Sequence, residues 1–315
     1  MADDPSLPVL NGDHLFAGDP AEIATLRAAA EWHGFFYLAD HGVDPALIAA
    51  VFAQSAQFFA LPDAAKQVVH LRRVSHALGW EPIKTQTLEA GGPPDLKEGF
   101  YIGRDVAADD PAVLAGRFGL GPNQWPADLP EFRTTMTAYY AAAQALCVKV
   151  MDALALALDL PAEYFAQFTR DPSCRLRLLH YPEQPGQPEP GEKGCGAHTD
   201  FGSVTVLLQD TAGGLQVQNV ATGAWFDAPP IAGAFVVNLG DLIARWTNHR
   251  FQSNPHRVIN RSGRERYSVP FFFTGNPDYL VECLPTCLAP GEMPKYAAIT
   301  AEAHLMERYA ATCAA

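Results

Sequence analysis

No basic stripe runs through this chain: 22 lysines and arginines stand against 35 aspartates and glutamates, for a formal charge of −13. That balance excludes the backbone of a nucleic acid as the expected partner. No CxxC pair occurs among the six cysteines, so zinc-type staples are not expected. At 315 residues the chain is long enough to hold its core without disulfides. The acidic start, Met1 to Pro5, lacks the basic-then-apolar pattern of a secretory leader. The longest apolar stretch, Ala141 to Leu160, is broken by Lys149, Asp152 and Asp159 and reads as a buried helix rather than a membrane span. Repeats and low-complexity tracts are also missing. These absences leave a soluble metabolic enzyme with free thiols, expected in the cytoplasm and acting on a small molecule. Its oligomeric state is not legible.

What is present divides in character near Arg175. The first half reads mainly helical. Asp19-Pro20 and Asp44-Pro45 each pair a capping residue with proline at the first helical position. Gly34 to Leu38 reads as a short aromatic strand between the two helices. Arg73 to Gly121 is rich in glycine and proline and reads as a loop-dominated passage. Pro130 opens a long helix that supports a sheet from behind. From Arg175 to about Thr274 the pattern becomes short β-runs between turns, including Ser203 to Gln209, Gly214 to Asn219, Ala234 to Asn238 and Arg266 to Phe273. Such even spacing predicts an antiparallel jelly roll, giving an α+β chain with a mostly β core. Gln184 to Lys193 is a proline-rich loop, and a last helix is expected from about Ala297 to Tyr309. Gly91 to Gly103 and that last helix are candidate lids.

The chemistry concentrates in a few positions. His198-Thr199-Asp200 is expected to open a strand, where residues two apart share a face. His256, at the start of another predicted strand, supplies a third donor. Two neutral imidazoles and one carboxylate on one side of a metal form the facial triad of non-haem Fe(II) oxygenases. The same period of two puts Arg266, Ser268, Pro270 and Phe272 on one face of the final strand. An arginine inside a barrel is costly unless it meets an anion. That anion is either a ligand carboxylate, held bidentately with help from the Ser268 hydroxyl, or a protein Asp or Glu. Tyr181, just before Pro182, is either a donor to the same anion or an ordinary core tyrosine.

In order along the chain, His198-x-Asp200, His256-Arg257-Val258 and Arg266-x-Ser268 resemble the iron- and 2-oxoglutarate-dependent dioxygenases, and within them the isopenicillin N synthase-like branch. Gly34 to Leu38 with His41-Gly42-Val43, Phe58 to Pro62, and Asn238 to Asp241 extend the likeness over most of the chain. The resemblance implies a double-stranded β-helix core with Fe(II) on His198, Asp200 and His256. It implies 2-oxoglutarate on Arg266, Ser268 and Tyr181, O2 as oxidant, and Phe272 against the primary substrate. Asn238 and Asp241 read as turn-forming. Plant members carry asparagine where this chain has Leu179, so no role is carried over there. The implied organisation is an N-terminal helical and loop region (1–120), a supporting helix (121–170), the oxygenase core (171–277) and a C-terminal helical extension (278–315). The implied reaction hydroxylates, desaturates or cyclises a small organic metabolite and releases succinate and CO2. Two alternatives stay open on sequence alone: an iron oxidase of this fold that needs no 2-oxoglutarate, and a non-catalytic binding module.

Overall fold

A computed structural model describes residues 6–89, 91–183 and 191–313. Most of the proline-rich loop, 184–190, lies outside the described residues. Twelve strands build two sheets. In chain order they are β1 (Val9–Asn11), β2 (Phe35–Ala39), β3 (Gly79–Glu81), β4 (Glu98–Ile102), β5 (Ser173–Tyr181), β6 (Cys195–His198), β7 (Val204–Gln209), β8 (Leu215–Gln218), β9 (Trp225–Asp227), β10 (Phe235–Leu239), β11 (His256–Val258) and β12 (Arg266–Gly275). The large sheet runs β1-β2-β10-β7-β12-β5-β4-β3 and the small one β6-β11-β8-β9. Only the β1–β2 pairing among these is parallel. Side chains from both sheets meet in one cluster that includes Phe35, Leu179, Val217, Val236 and Val258. The two sheets therefore stack as the expected jelly roll.

The large sheet has two faces with different uses, and strand alternation creates them. Val204, Val206 and Leu208 of β7, Phe235, Val237 and Leu239 of β10, and Val269, Phe271 and Phe273 of β12 point outward into the main core. There they meet the helices Pro20–Trp32, Pro45–Phe59 and Pro130–Ala157. Asp19 caps the first of these by accepting from the backbone N–H of Ala21 and Glu22, and Asp44 caps the second through Ala46. The 28-residue Pro130–Ala157 helix is apolar enough by length and composition to cross a membrane. Its apolar side, including Phe132, Met136, Tyr139, Val150 and Leu154, is instead buried in this core.

Two sequence expectations change here. The passage from Arg73 to Gly121 is not loop throughout, because β3 and β4 extend the large sheet from within it. Gly79 and Gly99 masked those strands, since glycine weakens any strand pattern. β4 is bonded on both sides, to β3 and β5, so Gly91 to Gly103 is not free to swing as a unit. The final helix starts later than its periodicity suggested, at Ala301, and runs to Cys313.

Where the helices meet the sheet, Phe58, Phe100 and Phe132 form an aromatic cluster with centroids 4.7 to 5.5 Å apart, Phe100 packing edge-on against the other two. All three are fully buried. Phe100→Ala should cost about 3–5 kcal/mol through lost burial and the residual cavity. Equilibrium denaturation of the variant measures it, and a loss under ~1 kcal/mol would show the cluster can collapse around the gap.

Candidate active site

Three donors converge between the sheets. His198 ends β6 and His256 begins β11, and they are direct cross-strand partners. Their rings lie 4.3 Å apart between centroids. The sequence places Asp200 at the opening of a strand with His198; instead β6 ends at His198, and Asp200 lies in the turn between β6 and β7. Its approach to the imidazoles therefore comes from the shape of that turn rather than from strand pleating. Asp200 Oδ1 lies 3.9 Å from His198 Nε2 and 3.8 Å from His256 Nε2. One ligand atom from each of the three residues falls within 4.8 Å of the others.

The turn is pinned by the motif Asn238 to Asp241. The backbone N–H of Asp241 donates to the Asp200 carbonyl at 2.8 Å, and that of Gly240 to Ser203 at 2.9 Å. Gly240 comes so close that an added Cβ would lie 2.3 Å from the Gly202 carbonyl oxygen. The Asp241 carboxylate accepts from Thr199 Oγ1 at 3.1 Å and Ser253 Oγ at 2.7 Å. Asn238 is not turn-forming: it lies in β10, and its Nδ2 donates to Asp200 Oδ2 at 2.7 Å. Thr205 Oγ1 donates to the same oxygen at 2.6 Å. Asn238 and Thr205 face each other across β10 and β7, so the large sheet presents them as one donor pair.

These contacts fix which atoms are free. Both donors occupy Oδ2 of Asp200 and leave Oδ1 toward the imidazoles. His198 Nδ1 donates to the Gly196 carbonyl at 2.8 Å, which leaves the Nε2 lone pair available. His256 Nδ1 faces the Asn254 carbonyl at 3.4 Å, and the edge of Phe35 packs against its ring at 5.3 Å. Burial lowers the pKa of both histidines, and for His256 the neighbouring His198 lowers it further. Burial pushes Asp200 up, but His256, His198 and the two donated bonds outweigh it and hold the carboxylate below its ordinary range. Neutral imidazoles and an ionised carboxylate are the forms that bind a metal. Donor type, free atoms and protonation all fit a divalent iron.

The inner face of β12 carries the second half of the site. Arg266, Ser268, Pro270 and Phe272 line one cavity with the triad. Arg266 is fully buried. Its Nε donates to the Gly213 carbonyl at 2.7 Å, its Nη1 to Ser268 Oγ at 2.9 Å and its Nη2 to Gln209 Oε1 at 3.3 Å. The guanidinium carbon lies 4.7 Å from the centre of the Tyr181 ring. Among the described residues no carboxylate pairs with Arg266. A buried cation bonded only to neutral acceptors lacks its counter-charge, as an anion-binding arginine would. Burial pushes the Tyr181 phenol well above its ordinary pKa, so it remains a proton donor at neutral pH.

Sequence reasoning missed several residues here. Thr205 carried no motif of its own. Lys97 and Asp95 form a buried ion pair, and Lys97 Nζ also donates to Cys195 Sγ at 3.4 Å beside His198. Arg175 and Arg177 face inward from β5. Their alternation with Cys174, Leu176 and Leu178 was the available signal.

Two outcomes test this geometry. Asn238→Ala frees Asp200 to rotate and should weaken divalent-metal affinity roughly 10–100-fold. Titration of the metal-free protein with Co(II) reads the change, and unaltered affinity would mean the bond does not orient the carboxylate. The metal-free protein should also lose stability as the pH falls below about 6.5. There the unfolded chain gains protons on His198 and His256 that the folded one resists, and burial shifts His33, His41 and His304 in the same sense. Chemical denaturation at about pH 7.5 and 5.5 compares the two, and equal stability would contradict the burial of these rings.

Known proteins resemble this chain in sequence and fold. The 2OG-Fe(II) oxygenase superfamily profile matches residues 172–275. The profile described as non-haem dioxygenase in morphine synthesis N-terminal matches residues 7–128. The 2-oxoglutarate-Fe(II) type oxidoreductase hxnY of Emericella nidulans is 46% identical over 303 residues, covering 94% of this chain and 87% of that protein. The 2-oxoglutarate-dependent dioxygenase citB of Monascus ruber is 44% identical, covering 92% and 89%. A full-length Neurospora crassa protein, solved in complex with alpha-KG and thymine, superposes with a TM-score of 0.84 at 33% identity over 99% of both chains. The chain thus belongs to the 2OG-Fe(II) oxygenase superfamily and is a 2-oxoglutarate-dependent dioxygenase, an oxidoreductase that works with Fe(II), 2-oxoglutarate and O2.

Proposed function

We propose that His198 Nε2, Asp200 Oδ1 and His256 Nε2 hold the iron, and that Arg266, Ser268 and Tyr181 hold the far carboxylate of 2-oxoglutarate. The observation that carries this reading is the Arg266 guanidinium, buried without a carboxylate partner among the described residues on the face that also meets the triad. A dicarboxylate reaching from Arg266 toward the three donors supplies the missing charge. Phe272 stands at the other end of the β12 inner face and lines the cavity in which the primary substrate sits against the ligands.

When bound, Fe(II) supplies the redox chemistry that couples reduction of O2 to decarboxylation of 2-oxoglutarate. The balanced outcome for hydroxylation is substrate, 2-oxoglutarate and O2 giving hydroxylated substrate, succinate and CO2. Desaturation or ring closure of a small organic metabolite uses the same site with water as the second product of O2. The protein's own contribution is positional. Arg266 and Ser268 set how far the cosubstrate enters, Asn238 and Thr205 fix the carboxylate plane, and apolar walls such as Leu179 and Val258 limit water.

Motif order along the whole chain supports placing it in the isopenicillin N synthase-like branch. Its parts are then the N-terminal region 1–120, the supporting helix 121–170, the oxygenase core 171–277 and the C-terminal extension 278–315. The free thiols of Cys147, Cys174, Cys195, Cys283 and Cys287 suit a cytoplasmic setting.

Arg266→Gln should raise the apparent KM for 2-oxoglutarate by about tenfold or more while Co(II) affinity stays within about twofold. An unchanged KM would assign Arg266 a purely structural role. Asp200→Ala should abolish metal binding at stoichiometric Fe(II), and retained turnover would remove Asp200 from the ligand set. Succinate must form in step with product; product without succinate would favour an oxidase that draws its electrons from the substrate alone.

A further inference from the structure

The inner faces of β5 and β12 form one ladder with an arginine at each end. Arg266 is paired with Tyr181 at one end, and Phe272 with Arg175 at the other. Arg175 and Phe272 line a cavity of about 370 Å³ together with His198 and Asp200. We propose that this cavity takes a small aromatic carboxylic acid as primary substrate, with the carboxylate on Arg175 and the ring against Phe272. The proposal rests on the cosubstrate reading above, because Arg266 is then already committed to 2-oxoglutarate.

Charge is the first argument. The other buried cations of the site have answers. Lys97 pairs with Asp95. Arg177 Nη2 lies 2.6 Å from Glu81 Oε2 and also donates to Gln86 Oε1. Fe(II) with Asp200, and Arg266 with 2-oxoglutarate, cancel in formal charge. Arg175 remains. Its polar contact is a 3.4 Å donation from Nη1 to the Ala77 carbonyl, and among the described residues no carboxylate pairs with it. A half-buried guanidinium facing a reaction cavity without a counter-ion selects an anion.

Shape is the second. The Arg175 guanidinium carbon lies 5.8 Å from the centre of the Tyr101 ring and 5.7 Å from that of Phe118, so two aromatics hold it in place. Gly119 makes the room: at φ +66°, an added Cβ would fall 2.0 Å from Arg175 Nη2. Tyr101, Phe118 and Phe272 give the cavity aromatic walls suited to a flat ring. Arg177 lines the same cavity with its charge answered by Glu81, so it does not compete with Arg175 for the carboxylate.

Binding can be tested without turnover. The protein is saturated with Zn(II) and 2-oxoglutarate and titrated calorimetrically with benzoate, naphthoate and the two matching amides. The acids should bind about tenfold or more tightly than their amides, as expected for a charge-assisted pair. Arg175→Gln should erase that preference, and Arg175→Lys should keep part of it. Gly119→Ala, which displaces the guanidinium, should weaken the acids alone. Each variant should bind 2-oxoglutarate like the parent, which also reports that it is folded. Equal binding of acids and amides, no binding of either, or a preference that survives Arg175→Gln overturns the proposal. Failure of the cosubstrate reading looks different: Arg266→Gln would leave the affinity for 2-oxoglutarate unchanged, and the acid–amide comparison in the parent and Arg175→Gln would still decide about Arg175.

Discussion

The carboxylate of Asp200 has to stay ionised, buried and correctly turned although its backbone lies on a turn. Two neighbouring strands solve this. Thr205 and Asn238 stand opposite each other in the large sheet and donate to a single oxygen, so the sheet itself becomes the reference frame for the carboxylate. The turn is then clamped from behind by the backbone of Gly240 to Leu242. The imidazoles come from the other sheet, as cross-strand partners on β6 and β11. The triad thus reports the relative position of the two sheets, and anything that shifts one against the other disturbs all three donors together.

A second consequence follows from the pleat of β5 and β12. Their outward residues Cys174, Leu176, Leu178, Val269, Phe271 and Phe273 are apolar and join the main core, whereas their inward residues include Arg175, Arg177, Tyr181, Arg266 and Ser268. One face stabilises and the other lines the cavities. Desolvated arginines are costly, and a sheet with a polar inner face could not hold itself together by that face alone. The aromatic cluster and the long helix on the opposite side carry that load, so polar groups inside the barrel can be placed by chemistry rather than by packing.

Much of this was legible in the sequence, and the parts that were not share a cause. The helix starts at Pro20 and Pro45, the long helix from Pro130, and the strands around His256 and Arg266 were readable because each has a local signature, a cap or a period. His198, Asp200, His256 and Arg266 stood out because their residue types are improbable at inward positions without a function. β3 and β4 were hidden by glycine, and the roles of Asn238 and Thr205 by distance in sequence. Asn238 reads as a turn residue until one sees that it sits in a strand beside Thr205, and no local pattern encodes that pairing. Asp200 shows the converse: a period of two singled it out, yet the backbone that brings it to the imidazoles does not follow that period.

Arg175 and Arg177 belong between these cases. Their period of two on β5 was as visible as that of β12, yet only the register makes it informative. Pairing β5 with β12 places Tyr181 beside Arg266 and Arg175 beside Phe272, so a single strand reaches the buried Arg266 at one end and the cavity beside the triad at the other. Any slip of that register by one residue would turn every inward side chain outward, including both arginines. On the roles proposed for Arg266 and Arg175, selection of cosubstrate and of substrate is tied to the same hydrogen-bonded ladder, and specificity at the Arg175 end can change by side-chain replacement provided the ladder that fixes Arg266 is left intact.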